Sequence, residues 1–270
     1  MKNYERVIVI GVDGAGAFFK DAVTPRFDGI FAEGAVTYSA VTENPTISAE
    51  CWGSMLIGVD CKAHGLTNDH ISNNTYPVDS ALPTVFRIVH EAYPNAELAS
   101  FAHWSPINYG IVEDGIGVHK ENGSAVELTD KIVEYLETRC PKLMYVHLNS
   151  PDSAGHKFGY GTANQLSVIT EMDYLIGKIF DAYSKKGILD KTLFIVLSDH
   201  GGTGTGHGGY TDDEKYITLA ISGKGVNGNA NIDGTRIRDV AAIILYALGL
   251  NDKRKSPWDS KVPATLFVNN

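Results

Sequence analysis

The sequence predicts an α/β protein with a mostly parallel central sheet flanked by helices on both faces, and three observations carry that prediction. Apolar runs of strand length recur along the chain, stretches with helical spacing lie between several of them, and an aspartate stands just after three of the runs. The runs occupy residues 7–12, 35–41, 98–102, 143–148, 193–197 and 217–221. Each is continuous in its apolar character, the pattern of a strand buried on both faces. Helical spacing covers 49–56, 82–92, 125–136, 165–183 and 237–248. Strands that alternate with helices form parallel sheets. No repeat, low-complexity tract or Pro/Ser-rich linker divides the chain, so a single domain over 1–270 is expected.

In chain order, the first run is β-branched (VIVIGV) and ends at Asp13. The second (AVTYSAV) leads through Asn44-Pro45 into the helix at 49–56, with Thr46 and Ser48 at the junction. The third (LASFA) is followed by Trp104-Ser105-Pro106, and the fourth (LMYVHL) by Pro151-Asp152-Ser153-Ala154-Gly155-His156. The fifth (LFIVL) runs into SDHGGTGTGHGG, which holds Asp199, His200 and His207, and the sixth is ITLAI. Open parallel sheets bind ligands beyond the carboxyl ends of their strands, so Asp13, Asp152 and Asp199 are expected to converge on one edge.

Composition narrows the function. A net charge of −9 argues against a nucleic-acid-binding surface, while a small anionic substrate stays compatible because bound cations dominate the field inside a cleft. Three cysteines without a CxxC pair suggest neither a disulfide framework nor a cysteine zinc knuckle, and fit a reducing compartment. The first residues lack the pattern of a secretory signal, and no stretch reaches the roughly 20 apolar residues of a membrane span. A soluble, cytoplasmic protein acting on a small molecule, with no membrane partner, is therefore expected.

Three carboxylates gathered without counter-charge raise one another's pKa, so such a cluster usually holds cations. Asp152 and His156 stand four apart, a spacing at which one turn directs both at one ion. Asp199 and His200 are adjacent, and the glycine-rich bend can fold His207 back toward them. Carboxylate oxygen with imidazole nitrogen suits zinc, with manganese or iron as alternatives. An attacking group is also needed, and Ser48 and Thr46 both lie where a helix N-terminus favours an alkoxide or a phosphorylated side chain. Both are equally suited to plain capping.

These motifs together resemble the alkaline phosphatase superfamily, and within it the type I phosphodiesterase/nucleotide pyrophosphatase family. The resemblance implies an alkaline phosphatase-like fold, two divalent metals, most often zinc, and transfer of a phosphoryl group through a Ser or Thr intermediate. It assigns Asp13, Asp199, His200 and the nucleophile oxygen to one metal, and Asp152, His156 and His207 to the other. Counting back ten residues from Gly58, at the small-residue end of the helix, gives Ser48 as nucleophile, with Thr46 second. Asn68, in His64-Gly65-Leu66-Thr67-Asn68, takes the role of a donor to the phosphoryl oxygens, aided by helix N–H groups, and His64 is structural. Trp104, Tyr109 and Tyr160 are candidates to stack on a base or aryl group. The sequence departs from the family in following Ser48 with Ala49-Glu50-Cys51, and in leaving only six residues between His200 and His207. Glu50 and Trp52 stand where a sulfatase requires Pro and Arg. The implied activity is phosphodiester or nucleotide pyrophosphate hydrolysis. The alternatives are a phosphomonoesterase or phosphonate hydrolase on the same scaffold, and a non-catalytic metal-binding or partner-binding module.

Overall fold

The computed structural model describes residues 4–254 and 257–268. In chain order the elements are β1 (Arg6–Val12), α1 (Pro25–Phe31), β2 (Ala35–Val41), α2 (Ser48–Ile57), α3 (Cys61–His64), α4 (Asn68–Asn73), α5 (Val85–Ala92), β3 (Leu98–Ala102), α6 (Ser105–Gly110), β4 (Val118–Asn122), α7 (Ala125–Thr138), β5 (Leu143–Leu148), α8 (Ser150–Phe158), α9 (Ala163–Lys185), β6 (Thr192–Leu197), α10 (Asp212–Lys215), β7 (Tyr216–Ser222) and α11 (Asp239–Ala247). Short 3₁₀ turns complete the chain. The strands form one sheet in the order β2-β7-β6-β1-β5-β3-β4.

β1 lies centrally, parallel to β5 on one side and β6 on the other, and is buried along its whole length. Alternate residues serve opposite faces. Val7 and Val9 join the cluster that includes residues of α2, α5 and α11, whereas Ile8, Ile10 and Val12 join the cluster that includes residues of α1, α7 and α9. Each such side chain contributes about 1.5–3 kcal/mol on leaving water, so the double-sided core favours a continuous apolar strand. Caps set the helix starts: Ser124 and Glu127 form a capping box for α7, and the Thr162 hydroxyl accepts from Gln165 N–H for α9.

All six expected strands are present, and the sheet is parallel except for β7, which runs antiparallel to both β6 and β2. The reversal follows from its connection. Between β6 and β7 the chain holds the glycine-rich bend and the four-residue α10, with no long crossover helix to return it to the starting edge. The seventh strand, β4, was not expected. Its sequence VHKEN is polar because it forms the sheet edge, where charged side chains discourage further pairing. β2 is only half-buried, and its outer edge is covered by residues 232–237 through Val41 N–H to Thr235 O at 2.8 Å and Ile237 N–H to Val41 O at 2.8 Å. Among the described residues, no helix is long and apolar enough to cross a membrane.

Candidate metal centre

Because β6, β1 and β5 are neighbours, the residues that leave their carboxyl ends meet above the sheet. Asp13 follows β1, Asp199 follows β6, and Asp152 sits in the first turn of α8 after β5. Three separated stretches of sequence thereby present one acidic cluster.

Each carboxylate has one oxygen held by a donor. Asp13 Oδ2 accepts from His147 Nε2–H at 2.8 Å and from Trp52 Nε1–H at 3.1 Å. Asp199 Oδ1 accepts from Gly14 N–H at 3.0 Å, and Asp152 Oδ1 from the Tyr160 hydroxyl at 2.5 Å. The remaining oxygens of the first two, Asp13 Oδ1 and Asp199 Oδ2, are buried with no hydrogen-bond partner. Both face His200 Nε2, at 3.6 and 3.3 Å. Ser48 Oγ approaches the same nitrogen at 3.1 Å.

The histidines show matching order. His156 Nδ1–H donates to Thr205 O at 2.9 Å, His200 Nδ1–H to Gly201 O at 2.9 Å, and His207 Nδ1–H to Thr46 O at 2.7 Å. A neutral imidazole with its proton on Nδ1 carries a lone pair on Nε2, the tautomer of a metal ligand. His156 Nε2 and His207 Nε2 lie 3.2 Å apart, so two lone pairs face one another until a cation separates them. Asp152 Oδ2 is 3.5 Å from His156 Nε2, and Asp152 Oδ1 is 3.7 Å from His207 Nε2. Zinc with nitrogen and oxygen ligands at about 2.0–2.1 Å has tetrahedral edges of about 3.3–3.4 Å, close to these separations. Orphaned carboxylate oxygens, fixed tautomers and spacing fit a divalent cation in an inner cluster (Asp13, Asp199, His200, with Ser48 beside them). Asp152, His200 and His207 form a second donor group, with His156 Nε2 against Asp152 and His207 extending it outward as an outer cluster (Asp152, His156, His207).

The electrostatics agree. Burial, with the charges of Asp13 and Asp152, drives the Asp199 carboxyl well above its ordinary range. Burial and Asp13 also push Asp152 up to about 6. For Asp13 burial acts in the same direction, yet the His147 hydrogen bond and charge, with help from His200 and Trp52, outweigh it and hold the carboxyl at about 2. Burial keeps His200 neutral, down to about 4, against the pull of Asp13. Such mutual repulsion is what a bound cation relieves.

The six residues between His200 and His207 make their crossing by a tight turn, in which Thr203 and Gly206 exchange backbone hydrogen bonds of 2.9 and 3.1 Å. Gly204 and Gly208 take the left-handed angles that favour glycine. Gly201 is needed for space instead, since a Cβ there would lie 2.0 Å from Asp213 O. The turn is braced against α8 by Tyr160 N–H to Gly204 O at 2.8 Å and by His156 through Thr205 O.

The two candidate nucleophiles are placed differently. Ser48 opens α2 beside His200, whereas the buried Thr46 hydroxyl donates to Gly209 O at 3.0 Å and accepts from Gly208 N–H at 2.8 Å. Thr46 therefore ties down the end of the bend and holds His207. Asn68 Oδ1 accepts from Ala49 N–H at 2.9 Å, which fixes the amide so that its oxygen is used on the helix and its nitrogen is the group left to donate, and takes one of the expected helix N–H donors out of use. His64 lies beneath α2, with Nε2 near Ser54 Oγ and Glu50 O at 3.1 and 3.2 Å and Nδ1 accepting from Leu66 N–H.

The three aromatic candidates are placed differently from one another. Tyr160 is 8% exposed with its hydroxyl on Asp152, so little of its ring is open to a base. Tyr109 is exposed beside the edge strand, with Lys120 Nζ 5.5 Å from its ring centroid. Trp104 is half-buried against the core at the start of α6, where its backbone N–H reaches His147 Nδ1 at 3.4 Å. That bond leaves His147 Nε2 to donate to Asp13. His147 and Trp52 hold Asp13 and Tyr160 holds Asp152, while the Gln165 amide braces the adjoining backbone by donating to Gly14 O and Pro151 O at 3.0 and 3.2 Å. None of these roles has a local sequence signal. A third acidic group, Glu43, Asp60 and Cys61, is already satisfied by the Arg238 guanidinium, which lies 3.2 Å from Glu43 and 2.7 Å from Asp60.

Sheet order and helical layers define the alkaline phosphatase-like fold, shared with solved structures at low sequence identity. A murine ectonucleotide pyrophosphatase/phosphodiesterase 5, an inactive variant in complex with AMP, superposes with a TM-score of 0.77 at 14% identity, covering 95% of this chain and 97% of that one. Residues 7–231 match the model of the type I phosphodiesterase/nucleotide pyrophosphatase family, and the chain belongs to that family. Ectonucleotide pyrophosphatase/phosphodiesterase family member 7 of Rattus norvegicus is 18% identical over 225 residues, 75% of this chain and 51% of the relative. An uncharacterised pyrophosphatase/phosphodiesterase of Schizosaccharomyces pombe is 24% identical over 72% of this chain and 44% of its own length. The chain thus spans about half the length of these relatives.

Proposed function

We propose that this protein is a metal-dependent phosphoric ester hydrolase of the phosphodiesterase/nucleotide pyrophosphatase type, acting through a phosphorylated Ser48 at a two-metal site. The observation that carries the reading is the convergence of three imidazoles, each with Nδ1 tied to a backbone carbonyl, on three carboxylates and one helix-start hydroxyl. Asp13, Asp199, His200 and Ser48 would hold one ion, and Asp152, His156 and His207 the other. Two divalent cations, most simply zinc, supply charge for the entering and departing oxygens and acidify the attacking hydroxyl.

In the first step Ser48 Oγ gives up its proton to solvent and forms a bond to phosphorus while the bond to the leaving oxygen breaks. The electron pair stays on that oxygen, which departs as an alkoxide or phosphate or takes a proton from water. The place of Ser48 at the start of α2 favours the negative charge it gathers. The Asn68 amide nitrogen donates to a non-bridging oxygen, a donor fixed in advance by the bond its carbonyl makes to Ala49. Water then cleaves the phosphoseryl ester and restores the hydroxyl. Family membership and the AMP complex of the murine neighbour support a nucleotide or related phosphate ester as substrate.

The test is Ser48→Ala beside Thr46→Ala, assayed on aryl phosphate diester and monoester with zinc content measured in parallel. Ser48→Ala is expected to lower kcat by at least about 10³-fold while both zinc ions are retained. Thr46→Ala is expected to keep turnover but bind zinc more weakly, because the backbone at Gly208 and Gly209 beside His207 loses its hydroxyl anchor while His207 Nδ1 keeps its bond to the residue 46 carbonyl. A dead Thr46→Ala beside an active Ser48→Ala overturns the assignment, and preference for the monoester overturns the diesterase reading.

A further inference from the structure

Resting on the two-metal reading, we propose that Tyr160 is a positioning residue that makes Asp152 a one-oxygen ligand of the outer site and so keeps a coordination position open for substrate. Its hydroxyl holds Asp152 Oδ1 at 2.5 Å, and although Oδ1 also lies 3.7 Å from His207 Nε2, Oδ2 is the oxygen without that donor and lies 3.5 Å from His156 Nε2. The same division of labour occurs at Asp13, with His147 and Trp52 as donors, and at Asp199, with Gly14. A carboxylate with one oxygen held by a donor does not readily chelate through both, and catalytic zinc sites need a position that the protein leaves free.

The ring is clamped so that the hydroxyl has one place to go. A Cβ at Gly155, between Asp152 and His156 on α8, would lie 2.5 Å from Tyr160 Cε1. A Cβ at Gly202, two residues after His200, would lie 2.5 Å from its Cδ2 and Cγ. The His156 and His207 rings stand edge-on to it, with centroids 5.7 and 6.1 Å away. Its backbone N–H holds Gly204 O in the turn that carries His207. Tyr160 therefore touches both segments that build the outer site, α8 and the bend that carries His207, and the two glycines make room for its ring.

The experiment compares full-length Tyr160→Phe with wild type and with Tyr183→Phe, which removes a buried tyrosine hydroxyl that meets Met144 Sδ at 3.7 Å instead of the site. Competition with a chromophoric chelator measures the affinity of each zinc ion, and circular dichroism confirms folding. Tyr160→Phe is expected to weaken one of the two zinc ions by about 10–100-fold and leave the other unchanged. The visible spectrum of its cobalt-substituted form should shift toward higher coordination. Gly155→Ala, which displaces the ring but keeps the hydroxyl, should reproduce the affinity loss, and Tyr183→Phe should match wild type. If wild type binds two zinc ions and Tyr160→Phe matches it in both affinities and in the cobalt spectrum, the proposal falls alone. If wild type binds fewer than two, the two-metal reading falls and takes the proposal with it.

Discussion

A histidine can hold a metal, carry charge or serve as a neutral link, and its two nitrogens reveal which. His64 donates from Nε2 and accepts at Nδ1 from Leu66 N–H, so a second proton would set two donors against each other. Burial holds its pKa down at about 4. The unfolded chain, with an ordinary imidazole near 6.5, takes up protons first as pH falls. The stability contributed by neutral His64 is therefore complete above pH 6.5 and is lost between pH 6.5 and 4, by up to about 3 kcal/mol. An NMR titration of the His64 ring in metal-free protein is expected to give a pKa near 4, and an ordinary value would contradict the buried neutral role. The convergence of the aspartates and histidines of the proposed centre was legible at this scale because they recur at short spacing after apolar runs. Local pattern alone did not separate Ser48 from Thr46, since two hydroxyls two residues apart at a helix start look alike. The count back from Gly58 that the resemblance supplies put Ser48 first, and the structure adds that the Thr46 hydroxyl is bonded to Gly208 and Gly209. His147 carried no signal, because its bond is to Asp13, 134 residues away in sequence, and Tyr160 was singled out for stacking and not for the bond its hydroxyl makes to Asp152.

At the scale of elements, two-sided burial wrote most of the strands and the longer helices plainly into the sequence. β4 escaped because an edge strand with charged side chains does not have the continuous apolar pattern of its neighbours. α8 escaped as a full helix because Pro151 and Gly155 both read as breakers, although Pro is tolerated in a first turn and Gly155 accommodates the Tyr160 ring. The register of α2 was readable from its end: Gly58 takes φ 78°, and its N–H closes on Ser54 O at 2.8 Å. A side chain there would meet both an unfavourable backbone angle and the Trp258 ring, 2.8 Å from a built Cβ. Gly58→Ala is expected to destabilise the protein by about 1–3 kcal/mol, read as a lower melting temperature. Unchanged melting would mean that α2 ends elsewhere.

For the whole molecule, strand order is what local sequence could not supply. Alternation of strands and helices predicts a sheet, but it does not say that β1 lies between β5 and β6, and the site depends on that adjacency. The proposed ligands span residues 13 to 207, so an unfolded chain offers no preformed site and metal binding should favour the folded state. With free zinc at about 100 times the dissociation constant, one site contributes about 2.7 kcal/mol. Removal of zinc by a chelator is then expected to lower the melting temperature by about 5–10 °C, and readdition to restore it. A melting temperature insensitive to zinc would argue against the proposed centre.

Exposure divides the two clusters in a way that affects time as well as affinity. Asp13, Asp199 and His200 are 0% exposed, whereas the His156 side chain is 47% exposed. Under the two-metal reading, an ion held through His156 can be reached by a competing ligand while the protein stays closed, but one at the inner cluster is released only when the surrounding structure opens. Zinc should leave in two kinetic phases, outer before inner. Under scarcity the longest-lived intermediate would keep the ion beside Ser48 and lack its neighbour.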